Sequence, residues 1–301
     1  MTQAAAPRLR TLWEFSRPHT IIGTVLAVCA LYVLAAHTAQ RTSWSLWVLV
    51  LIASIAVNVY IVGLNQITDV EIDRISKPYL PLAAGSMGRG VATGLVAATG
   101  LGSLVLAALH GGWLLAAIAI VFVIGTCYSL PPIRLKRYPL FAAASIVLAR
   151  AVVANIGVYL TYSTALTGTP QLPGYVLLLV GFMLGFAVVI AVMKDIPDVE
   201  GDRRHRISTV VLRIGPARTL LLCQIVLTAC YTGVIAAALI GIDGVNAAVL
   251  IAAHVLGLAA VWLAAARVDA EDSAAVVRYY MFIWKLFYLE FLIFPVACLL
   301  A

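Results

Sequence analysis

Nine runs of roughly twenty apolar residues constrain this chain more than any other feature. They fall at 18–37, 44–65, 91–109, 112–130, 139–161, 173–193, 217–241, 245–266 and 279–300. A helix rises about 1.5 Å per residue, so about 20 residues cross a hydrocarbon layer of about 30 Å. The runs are rich in Ala, Val and Leu and lack the alternating pattern of a membrane barrel. Only 11% of the 301 residues are charged and 63% are hydrophobic, whereas soluble domains carry about 25% charged residues. Inside hydrocarbon only helices or closed barrels satisfy the backbone. The expectation is an all-α integral membrane protein, a bundle of nine transmembrane helices forming one domain over 1–301.

Lys and Arg orient the bundle. With the N-terminus in the cytoplasm, loops on that side hold 17 of the 20 basic residues, while the opposite face has Arg41 alone. That asymmetry is the positive-inside rule, and it calls for an odd number of spans. The net charge of +7 therefore reflects topology, and nucleic acid is not expected as a partner. The basic N-terminal stretch "MTQAAAPRLRTLWEFSRPHT" has the outline of a signal peptide. Eight further spans follow it, so an uncleaved first span in the cell membrane is expected. The lipid bilayer is the partner this implies, and nothing points to an obligatory protein partner.

The five cysteines form no C-x-x-C pair and fall mostly within spans, so they read as small buried residues. Gly181 and Gly185 make a G-x-x-x-G within the sixth run, expected to let helices approach closely.

The acidic residues are distributed quite differently. "ITDVEIDR" begins at Ile67 and "IPDVEGDR" at Ile196, with six of eight letters shared. Seven of the 13 carboxylates lie in or beside these two words: Asp69, Glu71, Asp73, Asp195, Asp198, Glu200 and Asp202. On a helix, residues four apart drift by only about 40°, so Asn65, Asp69 and Asp73 share one face. Asp198 and Asp202 repeat the spacing. Glu71 and Glu200 point away, within reach of Arg74 and of Arg203 or Arg204, and are expected to form ion pairs.

Both words follow helices running toward the cytoplasm. The helix dipole is negative at that end and disfavours added negative charge by about 0.3–1 kcal/mol per residue. Neighbouring arginines or a divalent cation would offset this. Carboxylates and an Asn amide are hard oxygen ligands of the kind Mg²⁺ prefers, and Mg²⁺ keeps positions open for phosphates. Lys77, Lys136, Arg137, Lys194 and Arg203 lie in or beside the same loops and would take up further anionic charge. Acid pairs, basic loops and an oily bundle together point to a substrate with a diphosphate head and a long hydrocarbon tail, an isoprenyl diphosphate.

These motifs resemble the UbiA superfamily of intramembrane prenyltransferases. Its N-x-x-x-D-x-x-x-D motif matches Asn65, Asp69 and Asp73, and its D-x-x-x-D matches Asp198 and Asp202. The resemblance implies nine helices around a central cavity opening toward the cytoplasmic side, with those five residues as the catalytic, Mg²⁺-holding set. Within the superfamily the chain is most similar to the homogentisate prenyltransferases, through "FSRPHTIIGT" from Phe15, "NQITDVEIDRISKPYLPLAAG" from Asn65, "YSLPPIRLKRYP" from Tyr128 and "KDIPDVEGDR" from Lys194. "FIWKLFYLEFLIFP", near the end, is similar too. Many members carry a compact Y-x-x-x-K, whereas Tyr128 and Lys136 are eight apart here, as in the homogentisate branch.

The resemblance implies Mg²⁺-dependent ionisation of the prenyl diphosphate to an allylic cation, followed by attack from an aromatic acceptor. Tyr60, Phe122, Tyr159, Phe182, Phe186 and Tyr288 are candidates to stabilise the cation through their ring faces. Arg150 lies deep in the fifth span, where a cation is costly and usually functional, and is a candidate for the acceptor carboxylate. Arg17 and His19 stand near the first loop as further substrate-binding candidates, His19 as a proton acceptor. Lys285 and Glu290, five apart, face different ways and need not pair. Other acceptors such as 4-hydroxybenzoate, and a terpene cyclase of the same superfamily, remain alternatives. A transporter is the alternative from another class, disfavoured because the acids sit at helix ends rather than at the midplane.

Overall fold

The structure, a computed structural model, is described for residues 9–196 and 209–301, apart from the side chains of Ser76 and Pro139. Among the described residues nine helices are long and apolar enough to cross a membrane, and no strand occurs. The chain divides into two compact units, one of Met1–Cys29 with Ser43–Lys136 and one of Ala30–Thr42 with Arg137–Ala301.

The first unit contains α1 (Leu9–Phe15), the start of α2 (Pro18–Ala39), α3 (Trp44–Ser76), α4 (Arg89–His110) and α5 (Gly112–Ser129). Helix α3 is its axis and packs against both α4 and α5. Glycines make the approach close. A Cβ on Gly100 would lie 2.6 Å from the Tyr60 ring, and one on Gly125 would lie 2.5 Å from Ile61. Gly63 likewise admits Val96 and the Phe15 ring. The space so made is filled by Phe15, Tyr60, Leu64, Leu82, Met87, Ala92 and Val96. Polar ties hold the entry: Gln66 Nε2 donates to the Phe15 carbonyl at 2.7 Å, and Asn58 Nδ2 donates to Thr20 O at 3.0 Å and Thr24 Oγ1 at 2.6 Å.

Helix α3 outruns the apolar stretch that marks its span. Hydropathy ends near residue 65, but the helix continues to Ser76. Nothing in "QITDVEIDRIS" breaks it. It stops where Pro78 disfavours helical backbone at the residue before it, and the Lys77 N–H closes the last turn on Asp73 O at 2.7 Å. At the other end of the chain the last span starts earlier than its apolar run, because Asp272 caps it by accepting from the Ala274 N–H at 2.9 Å.

The second unit holds the end of α2, α6 (Pro139–Val147), α7 (Ala154–Thr167), α8 (Gly174–Met193), α9 (Val210–Ile214), α10 (Pro216–Ile240), α11 (Ala247–Ala265) and α12 (Ser273–Leu299). Between α6 and α7 the fifth span passes through a π-helical turn, Leu148–Val153, a feature frequent at functional sites. Helix α8 is central and touches α6, the π turn, α10 and α12. Of its two spaced glycines only Gly185 serves close packing: a Cβ there would run into Cys230 Sγ, whereas one at Gly181 would meet nothing within 4 Å. The shared-motif expectation is corrected at Gly181. All five cysteines are free thiols.

Candidate active site

The acidic face lies on the extension of α3 beyond its apolar run. Because the helix is unbroken from Trp44 to Ser76, Asn65, Asp69 and Asp73 stand one above another on one side. Asn65 and Asp69 are half-buried and Asp73 is buried. Glu71 points away, as its spacing requires, and pairs with Arg74 at 2.9 Å in an exposed ion pair.

Both oxygens of Asp69 are engaged. Arg134 Nη2 donates to Oδ1 at 3.0 Å and Lys136 Nζ donates to Oδ2 at 2.7 Å. Lys136 also donates to Thr68 Oγ1 at 2.8 Å, and Thr68 in turn donates to Asn65 O at 2.9 Å. These cations come from one segment, the turn after α5 and the short 3₁₀ helix Leu135–Arg137. Burial pushes the Lys136 ammonium below its ordinary pKa, and the Asp69 carboxylate opposes that shift. Asp73 lies in the electrostatic field of Arg17 and Lys77, and more weakly in that of Lys136.

Backbone strain accompanies two of these arginines. Arg17 has φ 53° and Arg134 has φ 40°, the left-handed region that non-glycine residues seldom occupy. Arg17 Nε is buried without a hydrogen-bond partner among the described residues, a donor available to an anion.

The other candidates are placed as follows. Tyr128 and His19 are half-buried in the first unit, and Arg137 is exposed. Lys194 follows the last residue of α8 and is half-buried. Asp198, Asp202 and Arg203, with Glu200, lie outside the described residues. Arg150 sits on the π turn, its guanidinium 5.2 Å from the centre of the Trp284 ring. Asn155 donates to the carbonyls of Arg150 and Ala151 at 3.1 and 2.8 Å, occupying acceptors in the irregular turn.

The six aromatic candidates do not form one set. Tyr60 and Phe122 stack at 4.2 Å in the first unit, where Tyr60 O–H donates to Thr126 Oγ1 at 2.7 Å. Phe182, Phe186 and Tyr159 are fully buried in the second unit. There Phe182 and Phe186 stack on each other, and Phe182 meets Tyr231 and His254 edge-on. Their visible task is packing. Tyr288 is half-buried. Lys285 is exposed and Glu290 buried, so those two do not pair.

Two contributors carry no site signal of their own in the sequence. Arg134 is one of the loop cations that set topology, yet it stands two residues before Lys136 and flanks the same carboxylate. Trp284 lies far along the chain from Arg150 and carries no local signal of that contact.

The donor set at the acidic face fits a hard divalent cation. It offers two carboxylates and an amide oxygen, one helical turn apart, with cations at the same helix end able to balance a polyanionic ligand. Among the described residues no three His, Cys, Asp or Glu side chains gather to hold a metal.

A model of the UbiA prenyltransferase family matches residues 25–286, through both acidic words. The chain belongs to the UbiA prenyltransferase family. A homogentisate phytyltransferase of Synechocystis sp. is 41% identical over 294 residues, covering 96% of each chain. The chloroplastic homogentisate phytyltransferase 1 of Arabidopsis thaliana is 38% identical, covering 95% of this chain and 75% of the relative. A solved structure of a UbiA homolog from Archaeoglobus fulgidus, bound to GPP and Mg²⁺, superposes with a TM-score of 0.64 at 18% identity, covering 95% of this chain and 99% of that one. This likeness establishes the shared fold. As a UbiA protein the chain is a multi-pass membrane enzyme that transfers prenyl groups.

Proposed function

We propose that this protein transfers an isoprenyl group from a prenyl diphosphate to homogentisate, with Mg²⁺, at a site opening toward the cytoplasmic side of the membrane. The acidic face of α3 carries the proposal. Oxygen ligands and cations within hydrogen-bonding distance of each other stand at the end of a membrane helix. The relatives named as homogentisate phytyltransferases support the choice of acceptor.

Asn65, Asp69 and Asp73, with Asp198 and Asp202 from the second motif, would hold the metal. Bound there, Mg²⁺ would neutralise diphosphate oxygens and make that group a better leaving group from the allylic carbon. Arg17, Lys77, Lys136, Arg137, Lys194 and Arg203 supply positive charge for the same head group, and Arg17 Nε brings an unpartnered donor. Tyr128 lies on the segment leading to Lys136 and is assigned to donor binding.

The apolar bundle surrounds the tail and excludes water from the developing carbocation. Arg150, held against Trp284, binds the carboxylate of the acceptor; the planar guanidinium suits two-point contact with a carboxylate. A ring carbon of the phenol then attacks, and a base takes the proton, a role assigned to His19.

Membranes containing the protein should be incubated with prenyl diphosphates of several lengths, each with homogentisate or 4-hydroxybenzoate, in Mg²⁺ or in EDTA, and products identified by mass. Prenylated product from homogentisate only, and only with Mg²⁺, is the expected result. Equal product with EDTA, or product from 4-hydroxybenzoate alone, would overturn the proposal.

A further inference from the structure

Asp69 accepts from two cations at once, one on each oxygen, and both cations arrive from the same short segment. The contact is well made and partly dry. Side-chain exposure is 22% for Arg134, 12% for Lys136 and 14% for Asp69. Lys136 is further tied to Thr68, one residue before Asp69. Arg134 holds its place at a left-handed backbone angle, fixed by its N–H donating to Leu130 O at 2.8 Å. A sparsely populated conformation persists only where surrounding contacts enforce it, and such positions cluster at sites that switch.

The same carboxylate belongs to the metal-binding motif. A divalent ion on Asp69 would sit about 2.1 Å from a ligand oxygen. It would then face an ammonium and a guanidinium at roughly 4 Å, where like charges repel strongly in a half-buried setting. The two ways of neutralising Asp69 therefore compete.

We propose that Arg134 and Lys136 are exchangeable counter-ions of Asp69, which a divalent metal displaces and which then turn their charge onto the diphosphate. This rests on the reading of the site as a metal–diphosphate site and adds to it a specific role for Arg134. Because both residues lie on one turn, one movement of residues 134–136 frees the carboxylate and delivers two positive charges to the incoming head group. Metal and prenyl diphosphate are then coupled through Asp69: the metal ejects the cations, and the diphosphate gives them a new partner. Arg134 acts here as a positioning residue for the metal and as a ligand for the diphosphate.

The test uses the full-length protein in detergent or nanodiscs, with Mn²⁺ as the metal probe and inorganic pyrophosphate as the head-group probe. Mn²⁺ affinity without pyrophosphate, read from the electron paramagnetic resonance of free Mn²⁺, should be at least about fivefold tighter for Arg134→Gln than for wild type. That is the lower end of ordinary coupling between linked ligands. Pyrophosphate affinity at saturating Mn²⁺ should move the opposite way, and Lys136→Gln should behave alike.

Arg134→Lys should return Mn²⁺ affinity toward the wild-type value. Thermal unfolding provides a control on folding: Arg134→Gln should melt lower than wild type in EDTA, and Mn²⁺ should raise its melting point by more than it raises that of wild type. Unchanged or weaker Mn²⁺ binding in the variants, or none in any protein, overturns the proposal. None of these readings needs turnover, so they stand apart from the product assay that tests the function itself.

Discussion

His254 Nε2 lies 2.9 Å from Glu290 Oε1, with both side chains sealed from solvent between α11 and α12. The other ring nitrogen, Nδ1, donates to Leu250 O at 2.8 Å. That bond places the ring proton on Nδ1 and turns Nε2 toward the carboxyl group. Phe182, Tyr231 and Phe294 surround the imidazole edge-on. Breaking a buried pair costs far more than replacing it whole. His254→Phe and Glu290→Leu should each destabilise the protein by about 3–5 kcal/mol, and the double variant by much less than their sum. Thermal unfolding of the four proteins in one detergent measures this, and additive losses would refute it.

The one-face geometry of α3 separates carboxylates by function. Asp69→Ala and Asp73→Ala should each lower turnover by at least about a hundredfold, the scale of losing one preorganised electrostatic group. Glu71→Gln should stay within about fivefold, because the Glu71 side chain is 81% exposed in its pair with Arg74 and such pairs contribute little, about 0–1 kcal/mol. Initial rates with saturating donor decide the point. Similar losses at Glu71 and Asp69 would contradict the assignment.

Arg150 on its π turn tests acceptor recognition. Arg150→Leu should raise the KM for homogentisate by about tenfold or more, the value of one charge-assisted hydrogen bond, and change the donor KM less. Arg150→Lys should not restore it, since an ammonium reproduces neither the two-point contact nor the stacking on Trp284. A donor KM rising as much as the acceptor KM would remove Arg150 from the acceptor site.

The two glycines of α8 should part company. Gly185→Ala drives a methyl group into Cys230 and should cost about 1–3 kcal/mol. Gly181→Ala meets open space and should stabilise the helix by about 0.5–1 kcal/mol. Melting temperatures of the two variants give the comparison directly.

Hydropathy and spacing located the spans to within a few residues at most ends, because a membrane helix announces itself through local composition. The extension of α3 past residue 65 was readable only through its spacing of Asn65, Asp69 and Asp73, since the apolar signal stops before the helix does. Contacts between distant positions were another matter. Arg134 with Asp69, Arg150 with Trp284 and His254 with Glu290 join residues from different helices or loops. No periodicity in one segment records which side chain another segment will bring. His254 is one polar letter in an oily run and carries no local signal of its partner. Gly181 and Gly185 looked equivalent by spacing, and only the neighbour that each one faces tells them apart.

Helix α3 is 33 residues long, about 50 Å at about 1.5 Å per residue, against a hydrocarbon layer of about 30 Å. Such a rod works as a mast: its acidic top stands clear of the oil while its foot stays anchored in it. On the proposed site, a polyprenyl chain held by its head at that height would hang beside the mast, and the number of its isoprene units would become a depth. Selection for donor length would then be made near the foot, tens of ångströms from the carboxylates proposed to hold the head group.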